Sequence, residues 1–383
     1  MSGNRGAPSD SPLAWRQTAD GLTRFRGLPV LPPPGHPGPL NALTDVAGVA
    51  VGHTTLIAGD GPLVVGQGPV RSGVSAILPR ANQTMTQPVF AGLYSLNGNG
   101  ELTGSHWIEE SGLLEGPITL TNTHSCGIAR DATAKWAVAH SPQQRFFLPV
   151  AGETYDGDLN DINGHHLTEA DVLAALDGAA EGAFTLGSVG GGTGMICYEF
   201  KAGVGTASRH ISIAGQVYTL GVYVQANFGL RPELVVAGVP VGRHIRGDEM
   251  RGSRDQGSII GVIATDAPLL PHQLKRLARR MPMAIGRTGG IAHDGSGDIF
   301  IAFSNAPTGP TGAVMRQAKW LDNSAMDPLF NAVVEAGEEA ILDSLIANQT
   351  MVGRDGITAI ALPHDQLCAQ LTGAPLWAPI SAR

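Results

Sequence analysis

The apolar positions of the chain fall into short runs that indicate β-strands. The run at residues 258–264 is almost unbroken and rich in β-branched residues, which is typical of a strand covered on both faces. Further strand-like runs occur at residues 44–55, 62–79 (as two strands), 117–124, 216–225, 299–303 and 357–362. We therefore predict a sheet whose central strands are buried.

Other segments have the period of amphipathic helices. Helices are predicted at residues 127–140, from 168, from 271 and, as a helical pair, at 327–349. Thr168 and Asp171 form a capping box at the start of one of them. The length of 383 residues allows one large or two modest domains. Residues 1–42 are rich in proline and glycine and predict an extended arm.

Composition refines this prediction mainly by exclusion. The 383 residues carry a net charge of −8, which argues against a nucleic-acid-binding protein. The three cysteines are far apart, so neither a disulfide framework nor a zinc site is indicated. The odd cysteine count, and an N-terminus without an apolar signal segment, favour a cytoplasmic protein. No apolar run is long enough to span a membrane.

No motif in the chain indicates a cofactor or a metal. The glycine run at 189–194 lacks the lysine of a phosphate-binding loop and the spacing of a dinucleotide fingerprint. Its backbone N–H groups remain candidates for an anion or oxyanion pocket. His106 and Glu109 have no second histidine at helical spacing. The acidic loop at 153–164 lacks the glutamate that closes an EF-hand.

The dipeptide Gly257-Ser258 directly precedes the most strand-like run. If the Ser258 hydroxyl attacks the Gly257 carbonyl, an N→O acyl shift gives an ester that water can open. Glycine suits the position before the cut because it has no side chain to block attack. The freed α-amine titrates near pH ~8 and can act as a base for its own hydroxyl. From the dipeptide alone, an ordinary loop end remains the simpler interpretation.

Four other polar positions are candidates for roles near strand ends. Glu153 can present a carboxylate to a cationic substrate, but a solvated loop explains its acidic surroundings equally well. Asn227 follows a predicted strand, where an amide can donate to a developing oxyanion, although most such asparagines cap turns. For Asp45 and His53, capping and turn roles are favoured over catalysis.

Seven segments of the chain, in one order, carry a resemblance to a known family. They are residues 48–55, 105–112, 121–125, 153–164, 189–195, 257–271 and 296–300. Together they resemble the self-cleaving L-aminopeptidase/D-amidase/D-esterase (DmpA) and β-aminopeptidase (BapA) group, over nearly the whole chain from about residue 43. The resemblance implies an αββα four-layer sandwich. This fold resembles that of N-terminal nucleophile hydrolases but differs in strand connectivity.

The resemblance also implies catalytic roles. Ser258 corresponds to the nucleophile, and Asn227 to an amide that helps form the oxyanion site. Ser296 and Asp298 correspond to a serine and a carboxylate that orient the nucleophile or relay protons. The β-aminopeptidases have glutamate where this chain has the shorter Asp298. The resemblance leaves open whether the base is this pair or the α-amine of Ser258.

Substrate binding and assembly follow from the same resemblance. Glu153 corresponds to the carboxylate that holds the free amine of the substrate. Tyr155 corresponds to a tyrosine of the branch that acts on α-amino substrates. Cleavage would give residues 1–257 and 258–383, which stay associated and assemble further as homo-tetramers.

The implied function is a self-processing serine aminopeptidase that removes small N-terminal residues from peptides, amides and esters. It needs no cofactor, nucleic acid or membrane. One alternative is an acyltransferase of the N-acetyl-ornithine type, although those enzymes have threonine where this chain has Ser258. The other is an uncleaved, non-enzymatic binding relative.

Overall fold

The computed structural model describes residues 11–245, 257–309, 314–315, 317–374 and 377, and every structural statement below concerns these ranges. The strands are β1 (Ala50–Ala58), β2 (Val70–Leu78), β3 (Val89–Gly98), β4 (Leu113–Leu114), β5 (Ile118–Asn122), β6 (Val150–Thr154), β7 (Ile196–Cys197), β8 (Phe200–Lys201), β9 (Val204–Ile213), β10 (Gln216–Asn227), β11 (Ser258–Thr265), β12 (Gly297–Ser304), β13 (Met351–Val352) and β14 (Thr358–Ala359). The helices are α1 (Leu13–Arg16), α2 (Ser105–Ser111), α3 (Cys126–His140), α4 (Glu169–Asp177), α5 (Pro271–Ala278), α6 (Met281–Arg287), α7 (Asp327–Ile346) and α8 (His364–Leu371).

Two sheets dominate the fold. One has four strands in the order β1-β2-β5-β6, and the other has six in the order β4-β3-β12-β11-β10-β9. In the larger sheet β11 and β12 are parallel, whereas their outer neighbours β10 and β3 run antiparallel to them. The strand predicted to be the most buried, β11, therefore lies in the middle of the larger sheet.

The alternation of side chains along β11 shows how the layers stack. Ile260 and Val262 pack with Ile77 and Leu120 of the smaller sheet, in the core between the two sheets. Ile259 and Ile263 lie on the other face, within the cluster formed with α5, α6 and α7. A third cluster joins the outer face of the smaller sheet to α3 and α4. This arrangement confirms the predicted αββα sandwich.

Three details of the predicted elements are wrong. The helical pair is the single helix α7, because Gly337 does not break it and instead packs closely against Met281 and Ala284 of α6. Residues 62–79 contain one long strand, β2, and not two. The predicted last strand at 357–362 is reduced to the two residues of β14.

The described part of the N-terminal segment packs on the core of its own chain. Phe25 is fully buried, and the backbone between its short helices is irregular. Arg24 forms an ion pair with Asp343 at 2.7 Å, and Arg26 forms one with Glu339 at 2.6 Å. All four side chains are buried, so this segment is tied to α7. None of the helices in the described ranges has the length and apolar character needed to cross a membrane.

Candidate active site

Ser258 lies where three strand ends of the larger sheet meet. It is the first residue of β11, opposite Asn227 at the end of β10 and beside Gly297 at the start of β12. Only 4% of Ser258 is exposed. The apolar run that follows holds this residue in place, because it forms the buried centre of the sheet.

The peptide bond before Ser258 is held by the first bond of the parallel ladder. The N–H of Gly297 donates to the carbonyl oxygen of Gly257 at 3.2 Å. A Cβ on Gly297 would come within 2.4 Å of the Asn99 carbonyl oxygen, so the chain needs glycine at this position. An N–H at this oxygen can stabilise the negative charge that develops when the carbonyl is attacked.

The amide of Asn227 is oriented by the backbone. Its Oδ1 accepts a hydrogen bond from the N–H of Ile196 at 2.9 Å. The side chain is completely buried and lies on the same face of the sheet as Ser258, because the two residues pair directly across β10 and β11. With Oδ1 occupied by Ile196, the amide is oriented to act as a donor through Nδ2.

Ser296 and Asp298 form a buried pair beside the start of β11. The Ser296 hydroxyl donates to Asp298 Oδ1 at 2.7 Å, and both residues are 1% exposed. Asn97 Nδ2 lies 3.4 Å from the other carboxylate oxygen of Asp298. The parallel register places Gly297, between the two, next to Ser258.

Glu153 ends up buried and fully hydrogen-bonded, and not on a solvated loop. It lies in β6, where Oε1 accepts the N–H of Glu101 at 2.9 Å and Oε2 accepts the Thr123 hydroxyl. Burial raises the pKa of Glu153, while the bonds from Thr123 and Glu101 oppose that rise. Burial therefore excludes the solvated-loop alternative for Glu153, and its role towards a cationic substrate stays a prediction.

One cavity brings several of these residues together. It has a volume of about 590 Å³. Its walls are formed by Gly98, Asn99, Gly100, Glu101, Thr123, Glu153, Tyr155, Gly257, Ser258 and Gly295. The N–H of Tyr155 lies 3.4 Å from Ser258 Oγ. Gly257, Ser258 and Glu153 thus line a common space of the size of a small ligand.

Sequence reasoning overlooked Thr123, Gly297 and Asp156. Thr123 lies in a segment that was noted for the family resemblance, but its bond to Glu153 depends on a contact between strands. Gly297 separates two residues that were singled out. Asp156 lies in the acidic loop, where it is not distinguishable by sequence from its neighbours. Long-range contacts determine all three roles.

The glycine run at 189–194 does not form an anion pocket, so that hypothesis is wrong. The N–H of Gly190 donates to Thr55 Oγ1 at 2.9 Å, and that of Gly191 donates to Ser75 Oγ at 3.1 Å. A Cβ on Gly191 would lie 2.2 Å from Gln225 Oε1. Glycine is needed here because the run packs closely against the facing strands.

Asp45 has the predicted capping role, whereas the prediction for His53 is wrong, because His53 lies inside β1 and contacts Ser75 of β2. Asp45 caps a turn by accepting the N–H groups of Leu40 and Ala42. His53 Nδ1 lies 2.9 Å from Ser75 Oγ, and burial lowers the pKa of the ring to about 4. Within the described ranges, no three His, Cys, Asp or Glu residues are grouped as metal ligands would be.

The fold and the cavity define a class of protein: an αββα hydrolase with a buried serine at the start of a central strand. Comparison with known families gives the particular assignment. The model of peptidase family S58 matches residues 41–359, and the chain belongs to this family.

The relatives agree with that assignment. The chain is 48% identical over 375 residues to the β-peptidyl aminopeptidase BapA of Sphingosinicella microcystinivorans, and the match covers 94% of each chain. The solved L-aminopeptidase D-Ala-esterase/amidase of Ochrobactrum anthropi, a variant of the Ntn-hydrolase fold, has a TM-score of 0.84 at 47% identity. That match covers 89% of this chain and 96% of the other. A β-aminopeptidase from a Burkholderia species gives a TM-score of 0.84 at 44% identity, covering 93% and 100%. The resemblance found in the sequence is confirmed, and the chain is a hydrolase of the aminopeptidase class.

Proposed function

We propose that the chain is a self-processing serine aminopeptidase whose domain, residues 43–383, is cut between Gly257 and Ser258. The Ser258 hydroxyl oxygen attacks the Gly257 carbonyl carbon. The bond from that carbon to the Ser258 nitrogen breaks, which leaves an ester between Gly257 and the Ser258 side chain. Water then hydrolyses the ester to a carboxylate on Gly257 and a free α-amine on Ser258. The observation that carries this proposal is the shared cavity, which Gly257, Ser258 and Glu153 all line.

In the mature enzyme, the same hydroxyl attacks the carbonyl that follows the substrate's first residue. The Ser258 amine, or the Ser296–Asp298 pair, takes the proton from the hydroxyl and returns it to the leaving amine. Asn227 supports the oxyanion through its amide, a contribution of about 3 kcal/mol in comparable sites. Attack of water on the acyl-enzyme then releases the free amino acid.

Glu153 fixes which end of a peptide enters the site. Its carboxylate pairs with the substrate's ammonium group, so a blocked N-terminus loses this interaction and leaves a buried carboxylate without its cation. The cavity volume suits one small residue and the start of its leaving group. Substrates are therefore peptides, amides and esters of small residues with a free amine.

Two points bear on which type of N-terminal residue the site accepts in its substrate. Tyr155 lines the cavity, and the family resemblance links a tyrosine at this position with L-residues and small D-residues such as alanine. The relatives named as β-peptidyl aminopeptidases support β-amino substrates in addition. From the family resemblance we further infer that units of the two fragments assemble as homo-tetramers in the cytoplasm.

A denaturing gel of the purified protein tests the proposal. We expect bands of about 27 and 13 kDa in place of one at 39.7 kDa, in proportion to the fragment lengths. N-terminal sequencing of the smaller band should give Ser258 as its first residue. Ser258→Ala should leave a single band that does not hydrolyse alanine anilides. An active preparation containing only the intact polypeptide would refute the proposal, and transfer to an added amine acceptor in place of hydrolysis would indicate an acyltransferase.

A further inference from the structure

Asp156 is a buried carboxylate next to the proposed site that the mechanism does not yet use. It follows Tyr155 directly, is 1% exposed, and forms no ion pair among the described residues. A buried charge without a cation is costly unless hydrogen bonds compensate for it. The contacts of its two carboxylate oxygens therefore determine what it can do.

One oxygen receives a chain of hydrogen bonds that starts at the backbone. The N–H of Ser125 donates to Asn122 Oδ1 at 2.9 Å, so Asn122 offers Nδ2 to Ser72 Oγ at 2.7 Å. The Ser72 hydroxyl, already an acceptor from Asn122, then donates to Asp156 Oδ2 at 2.6 Å. Reversing this last bond would leave Asn122 in place, but the Ser72 hydroxyl would have to turn its own proton away from Asp156.

The second oxygen is in the same situation. The N–H of Arg71 donates to Asn160 Oδ1 at 2.9 Å, which leaves Asn160 Nδ2 to donate to Asp156 Oδ1 at 3.0 Å. Asn160 Nδ2 is thus a fixed donor to Oδ1, whereas the Ser72 hydroxyl can rotate. The ionised carboxylate accepts both bonds. A protonated one can carry its proton only on Oδ2, and the Ser72 hydroxyl then loses Asp156 as the acceptor of its own proton.

The charged and titratable groups around Asp156 leave it without a cation. Those on the elements packed around it are Glu153, Asp158, Asp161 and His166 on its own strand and loop, Arg71 on β2, His124 after β5, Arg354 before β14 and, after the proposed cleavage, the Ser258 amine. The Arg354 guanidinium donates to the Gly157 carbonyl at 2.6 Å and pairs with Asp355 at 2.9 Å. The Arg71 guanidinium is occupied by Asp60 and by backbone carbonyls, among them that of Val352. His166 is paired with Asp161 at 2.8 Å. The hydrogen bonds of Asp156 are therefore its main support.

The anchored carboxylate lies next to the parts of the site that need precise placement. The Tyr155 N–H lies 3.4 Å from Ser258 Oγ, and Glu153 is three positions before Asp156. We propose that Asp156 is a positioning residue whose ionised form holds the end of β6 against β2 and β5, and so places Tyr155 and Glu153 around Ser258. The proposal rests on the proposed function, because it assumes that Ser258 is the nucleophile.

This arrangement makes activity depend on pH in a specific way. Burial raises the pKa of Asp156 to about 7, against the opposing effect of the bonds from Ser72, Asn160 and Asn122. The carboxylate is therefore protonated below about pH 7, where the hydrogen bond that Ser72 donates to it is lost and the network around it must rearrange. We expect kcat/KM to fall as the pH drops through this range.

The test measures kcat/KM from pH 5 to 9 on fully cleaved protein with a small alanine anilide. Asp156→Asn should remove the fall near pH 7 and lower kcat/KM at pH 8.5 by about tenfold, since it mimics the protonated state. Ser72→Ala removes one donor from the ionised form, so the fall should move up by about one pH unit. Asp266→Asn is the matched control. Burial also raises the pKa of Asp266, but this residue directly follows β11, about 26 Å from Ser258 along the strand.

The outcomes separate this proposal from the one on which it rests. An uncut and inactive wild-type chain would refute the proposed function. A cut and active wild type whose pH profile persists unchanged in Asp156→Asn, or is not displaced in Ser72→Ala, would refute the positioning role alone. If Asp156→Asn fails to fold, Ser72→Ala decides the matter, because it removes a single hydroxyl group.

Discussion

Replacing Gly297 by alanine should slow self-cleavage without unfolding the protein. The new Cβ would lie 2.4 Å from the Asn99 carbonyl oxygen and 2.8 Å from its carbon, where ordinary contact begins at 3.4 Å. Both atoms belong to the backbone, so no side-chain rotation can relieve the overlap. The start of β12 or the Asn99 turn must therefore move by about 1 Å.

That displacement would act on the Gly257–Ser258 peptide bond, which is the proposed site of cleavage. The N–H of Gly297 holds the Gly257 oxygen at 3.2 Å, and a further 1 Å would break this bond. A misplacement of this size costs about 100-fold in rate, which corresponds to about 2.7 kcal/mol in the barrier. We expect the half-time of cleavage of Gly297→Ala to lengthen by about that factor.

The assay follows conversion of the full-length chain into two fragments on a denaturing gel after a short pulse of expression. Gly98→Ala is the control, because Gly98 pairs with Gly297 across β3 and β12 but a Cβ there would meet nothing within 4 Å. Thermal melting and gel filtration show whether both variants are folded. Cleavage of folded Gly297→Ala at the wild-type rate would show that this N–H does not assist the reaction.

Two further variants test substrate binding and stability. Glu153→Gln keeps an acceptor for the Glu101 N–H and removes the charge, while its NH₂ group meets Thr123, whose hydroxyl can turn to accept it. KM for free-amine substrates should therefore rise about 10- to 100-fold. An unchanged KM would exclude Glu153 from holding the ammonium group. Arg26→Met leaves the buried Glu339 without one of its cations and should lower the free energy of unfolding by about 3–5 kcal/mol in denaturant titrations. The exposed pair of Lys135 and Glu169 is the control, since Lys135→Met should change stability very little, and equal effects of the two variants would contradict this reasoning.

The central strand could be predicted from sequence because its signal is local. An unbroken apolar run next to Ser258 has few alternatives to a buried strand, and the structure places that serine at the strand's first position. The capping box of Thr168 and Asp171 was also correctly predicted, since it spans only four residues. Such features can be predicted from sequence because the residues that produce them are neighbours both in the chain and in the fold.

The rest of the site depends on partners far apart in the chain. Asp156 lies in a loop whose acidic sequence suggests exposure to solvent. It is nevertheless buried, and it accepts a hydrogen bond from Ser72, which lies 84 positions earlier. The glycine run suggested an anion pocket, yet Gly191 is glycine because Gln225 and Leu120 approach it from other strands. Sequence shows which residues are unusual, but it does not show whether a ligand or the protein's own backbone makes them necessary.

The strand order implies that the two fragments cannot separate after cleavage. β11 and β12 belong to residues 258–383, but they lie between β3 and β10 of residues 1–257. The buried ion pairs of Arg24 with Asp343 and Arg26 with Glu339 also join one fragment to the other. Separation would therefore require opening the larger sheet on both sides and leaving charges unpaired in the interior. We expect the fragments to co-elute in equal amounts on native gel filtration, at the volume of uncut Ser258→Ala, and to part only in denaturant. Fragments that separate on dilution in native buffer would contradict this interleaved sheet.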